Sequence, residues 1–147
     1  MNEQAPIFLV GPMGAGKTTI GRRLAGLIGK SFVDLDQEIE QSCGADIAWI
    51  FDVEGEAGFR KRESAMLREV ASSNNMVIAT GGGAVLDSES RALMARSGTV
   101  VYLSVAAKVL YNRMQQDTKR PLLQVGDKKA MIESIVKERE PLYKEIA

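Results

Sequence analysis

The chain has 147 residues, of which 45% are hydrophobic and 26% charged, as is typical of one soluble globular domain. Nineteen basic residues balance nineteen acidic ones, so no overall positive field favours nucleic acid or an anionic membrane as a partner. The absence of histidine and the single cysteine, Cys43, exclude Ser-His-Asp and Cys-His hydrolysis, His-ligated metals and an intramolecular disulfide. The N-terminus shows no signal-peptide pattern and no apolar run is long enough to span a membrane, so we expect a cytoplasmic protein.

Strand-like and helix-like segments alternate along the chain. Short apolar runs predict strands at 7–11, 31–36, 76–80 and 99–104. Helical periodicity predicts helices at about 18–29, 37–73, 87–97, 106–116 and 128–145. The long stretch 37–73 is expected to break at Cys43-Gly44 and at Glu54-Gly55. This alternation predicts an α/β fold with a central parallel sheet and helices on both faces.

A glycine-rich segment, Gly11-Pro-Met-Gly-Ala-Gly-Lys-Thr-Thr19, lies between the first strand and the first helix. It has the spacing G-x-x-x-x-G-K-[ST], which is typical of a loop that binds a triphosphate. Glycines let backbone N–H groups approach the phosphates, and the positive end of the helix faces them. Lys17 is expected to reach the β- and γ-phosphates, and the Thr18 hydroxyl to ligate Mg²⁺. The predicted nucleotide-binding residues of this loop are Gly11, Gly14, Ala15, Gly16, Lys17, Thr18 and Thr19.

The phosphate-binding loop does not by itself identify the reaction. The guanine-recognition pattern N/T-K-x-D fails in Thr118-Lys-Arg-Pro121, where proline replaces the aspartate. The strand predicted at 76–80 runs into Thr-Gly-Gly-Gly instead of ending in the aspartate that usually forms a second Mg²⁺ motif. Both departures weaken the usual interpretation of such a loop as part of a nucleotide switch or a motor.

Two acids, Asp34 and Asp36, lie at the predicted end of the second strand. In an extended chain both carboxylates would face the same way. One could hold Mg²⁺ through water while the other orients or deprotonates an attacking hydroxyl. Alternatively, the two acids cap the helix that starts near Gln37. Their spacing leaves both interpretations open.

Several arginines and a second glycine cluster could bind an anionic acceptor. Arg60 could grip a carboxylate with two parallel hydrogen bonds, or could belong to a solvated helix face with an ion pair to Glu63. Arg139 presents the same choice between a ligand contact and a surface charge. Gly81–Gly83 follow the third strand, at the sheet edge where ligands bind, and could line a tight pocket or form a flexible turn.

Other residues have weaker signals. Arg113 and Arg120 flank a polar segment that could close over the nucleotide or be an ordinary loop. Trp49, Phe51 and Phe59 are expected in the core, although some of them could form an apolar wall of an acceptor pocket.

Together these motifs resemble the shikimate kinases over nearly the whole chain. The matching pieces are Gly11-Pro-Met-Gly-Ala-Gly-Lys-Thr18, Asp34-Leu-Asp36, Phe59-Arg60-x-x-Glu63, Ala79-Thr-Gly81-Gly82-Gly83-Ala, Arg120-Pro-Leu-Leu and Arg139-x-Pro-Leu-Tyr143. The most specific piece begins at Arg60 and Glu63 and continues through Val77-Ile-Ala-x-Gly-Gly-Gly-x-Val85. The resemblance implies a three-layer α/β/α fold of the nucleoside-monophosphate-kinase type. It also implies Mg²⁺-dependent transfer of the ATP γ-phosphate to the 3-hydroxyl of shikimate, within chorismate and aromatic amino acid biosynthesis.

The resemblance also implies roles for single residues. Asp36 would contact the acceptor hydroxyl as the candidate base, with Lys17 and Arg120 at the transferred phosphate, and Asp34 would hold Mg²⁺ through water beside Thr18. The implied roles of the remaining residues are carboxylate binding for Arg60 and Arg139, pocket lining for Gly81, Gly82 and Gly83, and packing on adenine for Arg113. The acceptor-binding segment would cover about 36–63 and the lid about 115–127.

Family members usually continue some twenty-odd residues past the Pro-Leu-Tyr segment, with a fifth strand, a loop against adenine and a last helix. The sequence therefore leads us to expect a shortened C-terminal end. The resemblance also implies a monomer whose partners are small molecules, without nucleic acid or membrane. The alternatives are another small-molecule kinase, such as a gluconate kinase or a nucleoside monophosphate kinase, and a nucleotide-binding switch without phosphate transfer.

Overall fold

A computed structural model describes residues 4–114 and 128–147, and these form an α/β domain around one sheet. Its strands are β1 (Ile7–Val10), β2 (Ser31–Asp34), β3 (Met76–Ala79) and β4 (Thr99–Tyr102). The strand order is β2-β3-β1-β4, and each pair of neighbours runs parallel. The predicted parallel sheet is therefore confirmed.

Helices connect and follow the strands within the described residues. They are α1 (Lys17–Ile28), α2 (Leu35–Cys43), α3 (Ile47–Ala71), α4 (Ser88–Ser97), α5 (Ala107–Met114) and α6 (Lys128–Ile146). The predicted breaks are confirmed, because Gly44 ends α2 with φ 74° and Gly55 interrupts α3 with φ 75°. A 3-10 helix at Ala84–Leu86 was not expected from the sequence. In the part of the chain that the structure describes, every helix is too short or too polar to span a membrane.

The end of β2 differs from its predicted position. The strand stops at Asp34, and α2 begins at Leu35, so Asp36 is helical and not extended. The Asp34 side chain accepts a hydrogen bond of 3.2 Å from the backbone N–H of Gln37, which satisfies a free donor at the start of α2. The prediction that both carboxylates project from one strand is therefore wrong, and the capping alternative is correct for Asp34.

The two faces of the sheet pack against different helices. Leu9 and Val77 form one apolar cluster with Ala25 of α1. Their chain neighbours Phe8 and Ile78 point the other way, into the larger cluster that contains residues of α2, α3, α4 and α6. Because successive side chains of a strand alternate between faces, this arrangement buries both faces of the sheet. The prediction of helices on both faces is confirmed.

Helix α1 packs against the sheet through small residues. Its buried positions include Gly21 and Ala25. Of the four apolar residues whose spacing predicts the helix, Leu24 packs against the apolar cluster on this face of the sheet, whereas Ile20, Leu27 and Ile28 are 45%, 76% and 45% exposed. The apolar periodicity thus located the helix but only part of its buried face. The close approach leaves no room at Gly21, where a Cβ would lie 2.5 Å from Phe32 Cε1.

This contact predicts opposite effects for two glycines of α1. Gly21→Ala should lower the free energy of unfolding by about 1–3 kcal/mol, because the added methyl would overpack the interface. Gly26→Ala should raise it by about 0.5–1 kcal/mol, because no heavy atom lies within 4 Å of the added Cβ and alanine favours the helix. Urea unfolding of both variants measures the difference, and equal effects of one sign would contradict the packing described for α1.

The aromatic residues of α3 divide between the core and the surface. Phe59 is 4% exposed and packs against Phe51 with 4.9 Å between the ring centroids. Trp49 is 49% exposed, so its predicted place in the core is wrong. Ile47 and Ile50 occupy the buried side of this turn, and Trp49 points outward from it.

Candidate active site

The phosphate-binding loop follows β1 at the carboxyl edge of the sheet. Gly16 precedes α1 with φ 97°, and Gly11 has φ 151°. A Cβ on Gly11 would also lie 2.7 Å from the backbone oxygen of Leu103. Glycine is required at both positions because L side chains rarely adopt such φ values. The loop therefore turns sharply enough to direct backbone N–H groups and the N-terminus of α1 towards an anion.

Lys17 is buried under this loop, with 8% exposure. Its ammonium group donates hydrogen bonds of 2.6 Å to the carbonyl of Gly11 and 2.9 Å to that of Pro12. Arg113 of α5 reaches the other side of the loop and donates a hydrogen bond of 2.7 Å to the carbonyl of Gly14. Two cations are thus held at the loop, beside a cleft of about 580 Å³. The cleft is lined by residues 13–20 together with Asp34, Asp36, Thr80, Gly81, Gly82 and Arg113.

Thr18 and Asp34 form the polar wall of the cleft at the start of α1. The Thr18 hydroxyl donates a hydrogen bond of 2.7 Å to Asp34 Oδ2. A hydroxyl and a carboxylate are the hard oxygen ligands that Mg²⁺ prefers, and Mg²⁺ in such sites usually keeps several waters and phosphate oxygens. The pair therefore fits the cation. The described residues contain no cluster of three or more His, Cys, Asp or Glu side chains for a metal.

Asp36 lies where the cleft meets a second, smaller cavity. The first turn of α2 carries it, and its carboxylate approaches the glycine cluster after β3. A Cβ on Gly81 would lie 3.0 Å from Asp36 Oδ1 and 2.8 Å from Glu63 Oε2. Gly81 therefore makes room for two carboxylates. The residues that line both cavities are Met13, Asp36, Gly81 and Gly82.

The second cavity has a volume of about 40 Å³ and combines apolar walls with charged side chains. Ile47, Phe51 and Phe59 contribute the apolar surface, which agrees with the expectation that some aromatic residues form a pocket wall. The other lining residues are Met13, Asp36, Arg60, Glu63, Gly81, Gly82, Gly83 and Arg139. The predicted site residues of α2, α3, α6 and the glycine cluster thus meet in one place.

Arg60 and Glu63 form an ion pair at the base of this cavity. Arg60 Nη1 lies 2.9 Å from Glu63 Oε1, and the two side chains are 22% and 5% exposed. Burial raises the pKa of Glu63, while the charge of Arg60 and its hydrogen bond act in the opposite direction. The guanidinium group also lies against Gly83, where any Cβ would overlap it. The predicted pair exists, but it lies in a cavity and not on a solvated helix face.

The burial of Glu63 predicts a dependence of stability on pH. Its folded-state pKa is raised above the ordinary value of 4.5, so ionising Glu63 costs folding free energy as the pH rises through the folded-state pKa. In the variant Glu63→Gln, the glutamine side chain cannot ionise. The free energy of unfolding of this variant, relative to that of the original chain, should therefore increase as the pH rises from 4.5. Urea titrations at several pH values test this, and a constant difference would contradict it.

Arg139 reaches the cavity from α6 and is 7% exposed. A Cβ on Gly82 would lie 3.6 Å from Arg139 Nη1 and 3.2 Å from the backbone nitrogen of Met13. Gly82 therefore lies between the Arg139 guanidinium and the phosphate-binding loop. One turn further along α6, the Tyr143 hydroxyl donates a hydrogen bond of 2.6 Å to the carbonyl of Gly82.

Not every predicted site residue can be placed. Arg120 and the predicted lid at about 115–127 lie outside the described residues. Met13, Ile47 and Thr80 line the cavities but were not predicted, because apolar residues and a threonine give no chemical signal in a sequence. Glu63 was predicted only as an ion-pair partner of Arg60 and a member of a longer motif, and Tyr143 only as a member of a longer motif.

A comparison with models of protein families decides the classification. The model for shikimate kinase matches residues 13–147. The chain belongs to the shikimate kinase family. It is 52% identical to the shikimate kinase of Histophilus somni (strain 2336) and 55% identical to that of Pasteurella multocida (strain Pm70). Each alignment covers 100% of the chain and 85% of the relative.

Solved structures of shikimate kinases share the fold of this family member. The Acinetobacter baumannii enzyme in complex with shikimate superposes with a TM-score of 0.96 at 48% identity, covering 98% of this chain and 80% of the other. The Bacteroides thetaiotaomicron enzyme superposes with a TM-score of 0.90 at 39% identity, covering 97% of this chain and 84% of the other. A gluconokinase from Sinorhizobium meliloti 1021 gives 0.57 at 17% identity, covering 93% of this chain and 75% of the other. At that identity the likeness concerns the fold alone.

Proposed function

We propose that this shikimate kinase transfers the γ-phosphate of ATP to the 3-hydroxyl of shikimate, giving shikimate 3-phosphate and ADP. The observation that carries the proposal is the position of Asp36, which lines both the phosphate-binding cleft and the small cavity beside it. A group that deprotonates or orients an acceptor must contact the acceptor while it faces the donor phosphate. Asp36 is an acid placed at that junction.

The charge and size of the small cavity support a compact acid as acceptor. Arg60 and Arg139 both line it, and a guanidinium matches a carboxylate with two hydrogen bonds. The apolar side chains of Ile47, Phe51 and Phe59 suit the carbon skeleton of a small ring. This cavity, of about 40 Å³, is much smaller than the neighbouring cleft of about 580 Å³, which agrees with an acceptor that is smaller than the nucleotide donor.

The transfer requires one new bond, one broken bond and one proton movement. The acceptor oxygen attacks the γ-phosphorus, and the bond from that phosphorus to the β–γ bridging oxygen breaks. The hydroxyl proton passes to the Asp36 carboxylate, and ADP leaves with the electron pair of the broken bond. Lys17 and the backbone N–H groups of the loop stabilise the negative charge of the transferred group. Arg60 and Arg139 hold the acceptor so that its hydroxyl faces the phosphate.

Mg²⁺ would be held by Thr18 directly and by Asp34 through water, and it would neutralise phosphate charge during the transfer. Arg120 would approach the phosphates from a lid at about 115–127, and Arg113 would pack on adenine. Residues of about 36–63 would form the acceptor-binding segment. We further propose that the enzyme is a cytoplasmic monomer.

A coupled assay for ADP release tests the acceptor. Shikimate, gluconate and several nucleoside monophosphates are offered separately with Mg-ATP, and turnover is expected with shikimate alone. Turnover with gluconate only would overturn the proposal. Slow ATP hydrolysis that no acceptor accelerates would instead indicate a nucleotide-binding switch.

A further inference from the structure

Helix α6 presents two buried polar side chains to the site, one helical turn apart. Arg139 is 7% exposed and Tyr143 is 1% exposed. Residues separated by four positions lie on the same face of a helix, so both side chains point from α6 towards the glycine cluster. Arg139 lines the acceptor cavity, whereas Tyr143 does not. A role for Tyr143 would therefore operate through its neighbours.

The Tyr143 hydroxyl binds the backbone of Gly82, beside the Arg139 guanidinium. It donates a hydrogen bond of 2.6 Å to the Gly82 carbonyl. Burial raises the pKa of Tyr143 to about 12, and the charge of Arg139 and its hydrogen bond to the phenol oxygen act in the opposite direction. The Gly82 peptide that accepts this hydrogen bond lies against the Arg139 guanidinium, because a Cβ on Gly82 would be 3.6 Å from Arg139 Nη1. The aromatic ring alone could not form the hydrogen bond to Gly82.

The position of the phenol is itself determined by the sheet. Its ring stacks on Tyr102 of β4, with 5.0 Å between the centroids and 23° between the planes. Strand β4 pairs with β1, which leads into the phosphate-binding loop. The Tyr143 ring is therefore packed against the sheet next to the strand that leads into the phosphate-binding loop, while Arg139 lines the acceptor cavity.

We propose that Tyr143 is a positioning residue of the acceptor site. Its hydroxyl holds the Arg139 guanidinium and the Gly82 peptide in one relative geometry, which sets the place of an acceptor carboxylate with respect to the phosphate-binding loop. The inference rests on the proposed function, because it assumes an acceptor that carries a carboxylate. It assigns to the phenol oxygen a role beyond that of a buried aromatic ring in the core.

The test compares Tyr143→Phe with the original chain in the coupled assay. Phenylalanine keeps the ring and its stacking on Tyr102 but leaves the Gly82 carbonyl without its partner. We expect the KM for shikimate to rise about tenfold, which corresponds to the loss of one buried hydrogen bond, and the KM for ATP to stay unchanged. The matched control is Tyr102→Phe. Among residues 4–114 and 128–147 the Tyr102 hydroxyl forms no hydrogen bond, so its removal should leave both KM values unchanged.

A double-mutant cycle separates positioning from packing. In an Arg139→Ala background, Tyr143→Phe should change the KM for shikimate by less than about twofold, since no guanidinium remains to be oriented. If Tyr143→Phe raised the KM for shikimate equally in both backgrounds, or did not raise it in the otherwise unchanged chain, the inference would be overturned. All variants are also made with Gly26→Ala, which we expect to stabilise the fold, so that a loss of stability does not prevent the measurement.

The two proposals fail in different ways. If the original chain does not phosphorylate shikimate, the proposed function is wrong before any variant is compared. If it does, and Tyr143→Phe has the kinetic constants of the original chain, only the role of Tyr143 is wrong.

Discussion

Asp36→Asn is expected to lower kcat with shikimate by about 10²–10⁴-fold, the usual contribution of a general base. Asparagine has nearly the same size as aspartate and can still contact the acceptor hydroxyl, but it cannot take its proton. Asp36 lies in the first turn of α2, beyond the Thr18–Asp34 pair, so binding of Mg-ATP should be almost unchanged. Steady-state kinetics together with equilibrium binding of ATP measure the two effects separately.

The control for Asp36 is Asp52→Asn. Asp52 is an exposed acid of α3, and it lines neither the cleft nor the small cavity. Its replacement removes the same charge from the chain and should leave kcat unchanged. An unaltered kcat in Asp36→Asn would remove Asp36 from the chemistry. A large drop in both variants would indicate an effect of net charge.

Arg60→Ala is expected to weaken acceptor binding by about 2–5 kcal/mol, the usual effect of truncating one partner of a buried charge pair. This corresponds to a rise of about thirtyfold or more in the KM for shikimate. The KM for ATP should change little, because Arg60 lines the small cavity and not the cleft. Kinetics with each substrate varied in turn measure this contrast.

Arg62→Ala is the matched control for Arg60→Ala. Arg62 lies two residues along the same helix and binds Glu54 through two hydrogen bonds of 2.7 Å, away from the cavity. Its removal should leave both KM values unchanged, since exposed ion pairs contribute little. If Arg60→Ala had the same KM for shikimate as Arg62→Ala, Arg60 would not contribute to acceptor binding.

A second comparison separates the ligand contact of Arg60 from its ion pair. Arg60→Ala leaves the Glu63 carboxylate buried without the cation that lies 2.9 Å away, so the variant should also lose stability. Adding Glu63→Gln removes that buried charge. The double variant should recover part of the stability but none of the affinity for shikimate, and recovery of both would mean that Arg60 acts only through Glu63.

Local patterns in the sequence predicted most of the secondary structure. Gly44 and Gly55 marked real breaks because their φ values of 74° and 75° are a local property of the backbone, which glycine adopts without strain. The end of β2 was misplaced because Asp34 can continue a strand or cap a helix. Only the hydrogen bond to Gln37 distinguishes these two conformations.

Burial was harder to predict than helix position. Ile20, Leu24, Leu27 and Ile28 suggested helix α1, yet only Leu24 of these packs against the sheet, which the helix approaches through Gly21 and Ala25. Trp49 is exposed for a related reason, since Ile47 and Ile50 already fill the inner side of its turn. Periodicity shows that apolar residues share a face, but the partner that covers a face belongs to a distant part of the chain.

The sequence by itself determined the α/β class, the phosphate-binding loop and the family, because these depend on residue types at fixed spacings along the chain. The tertiary structure decided how the two halves of the site meet. The order β2-β3-β1-β4 places the glycine cluster after β3 beside the phosphate-binding loop after β1. Helices α2, α3 and α6 then direct Asp36, Arg60 and Arg139 into the cavity at that junction. Residues more than a hundred positions apart become neighbours only when the sheet forms, and no local pattern contains that information.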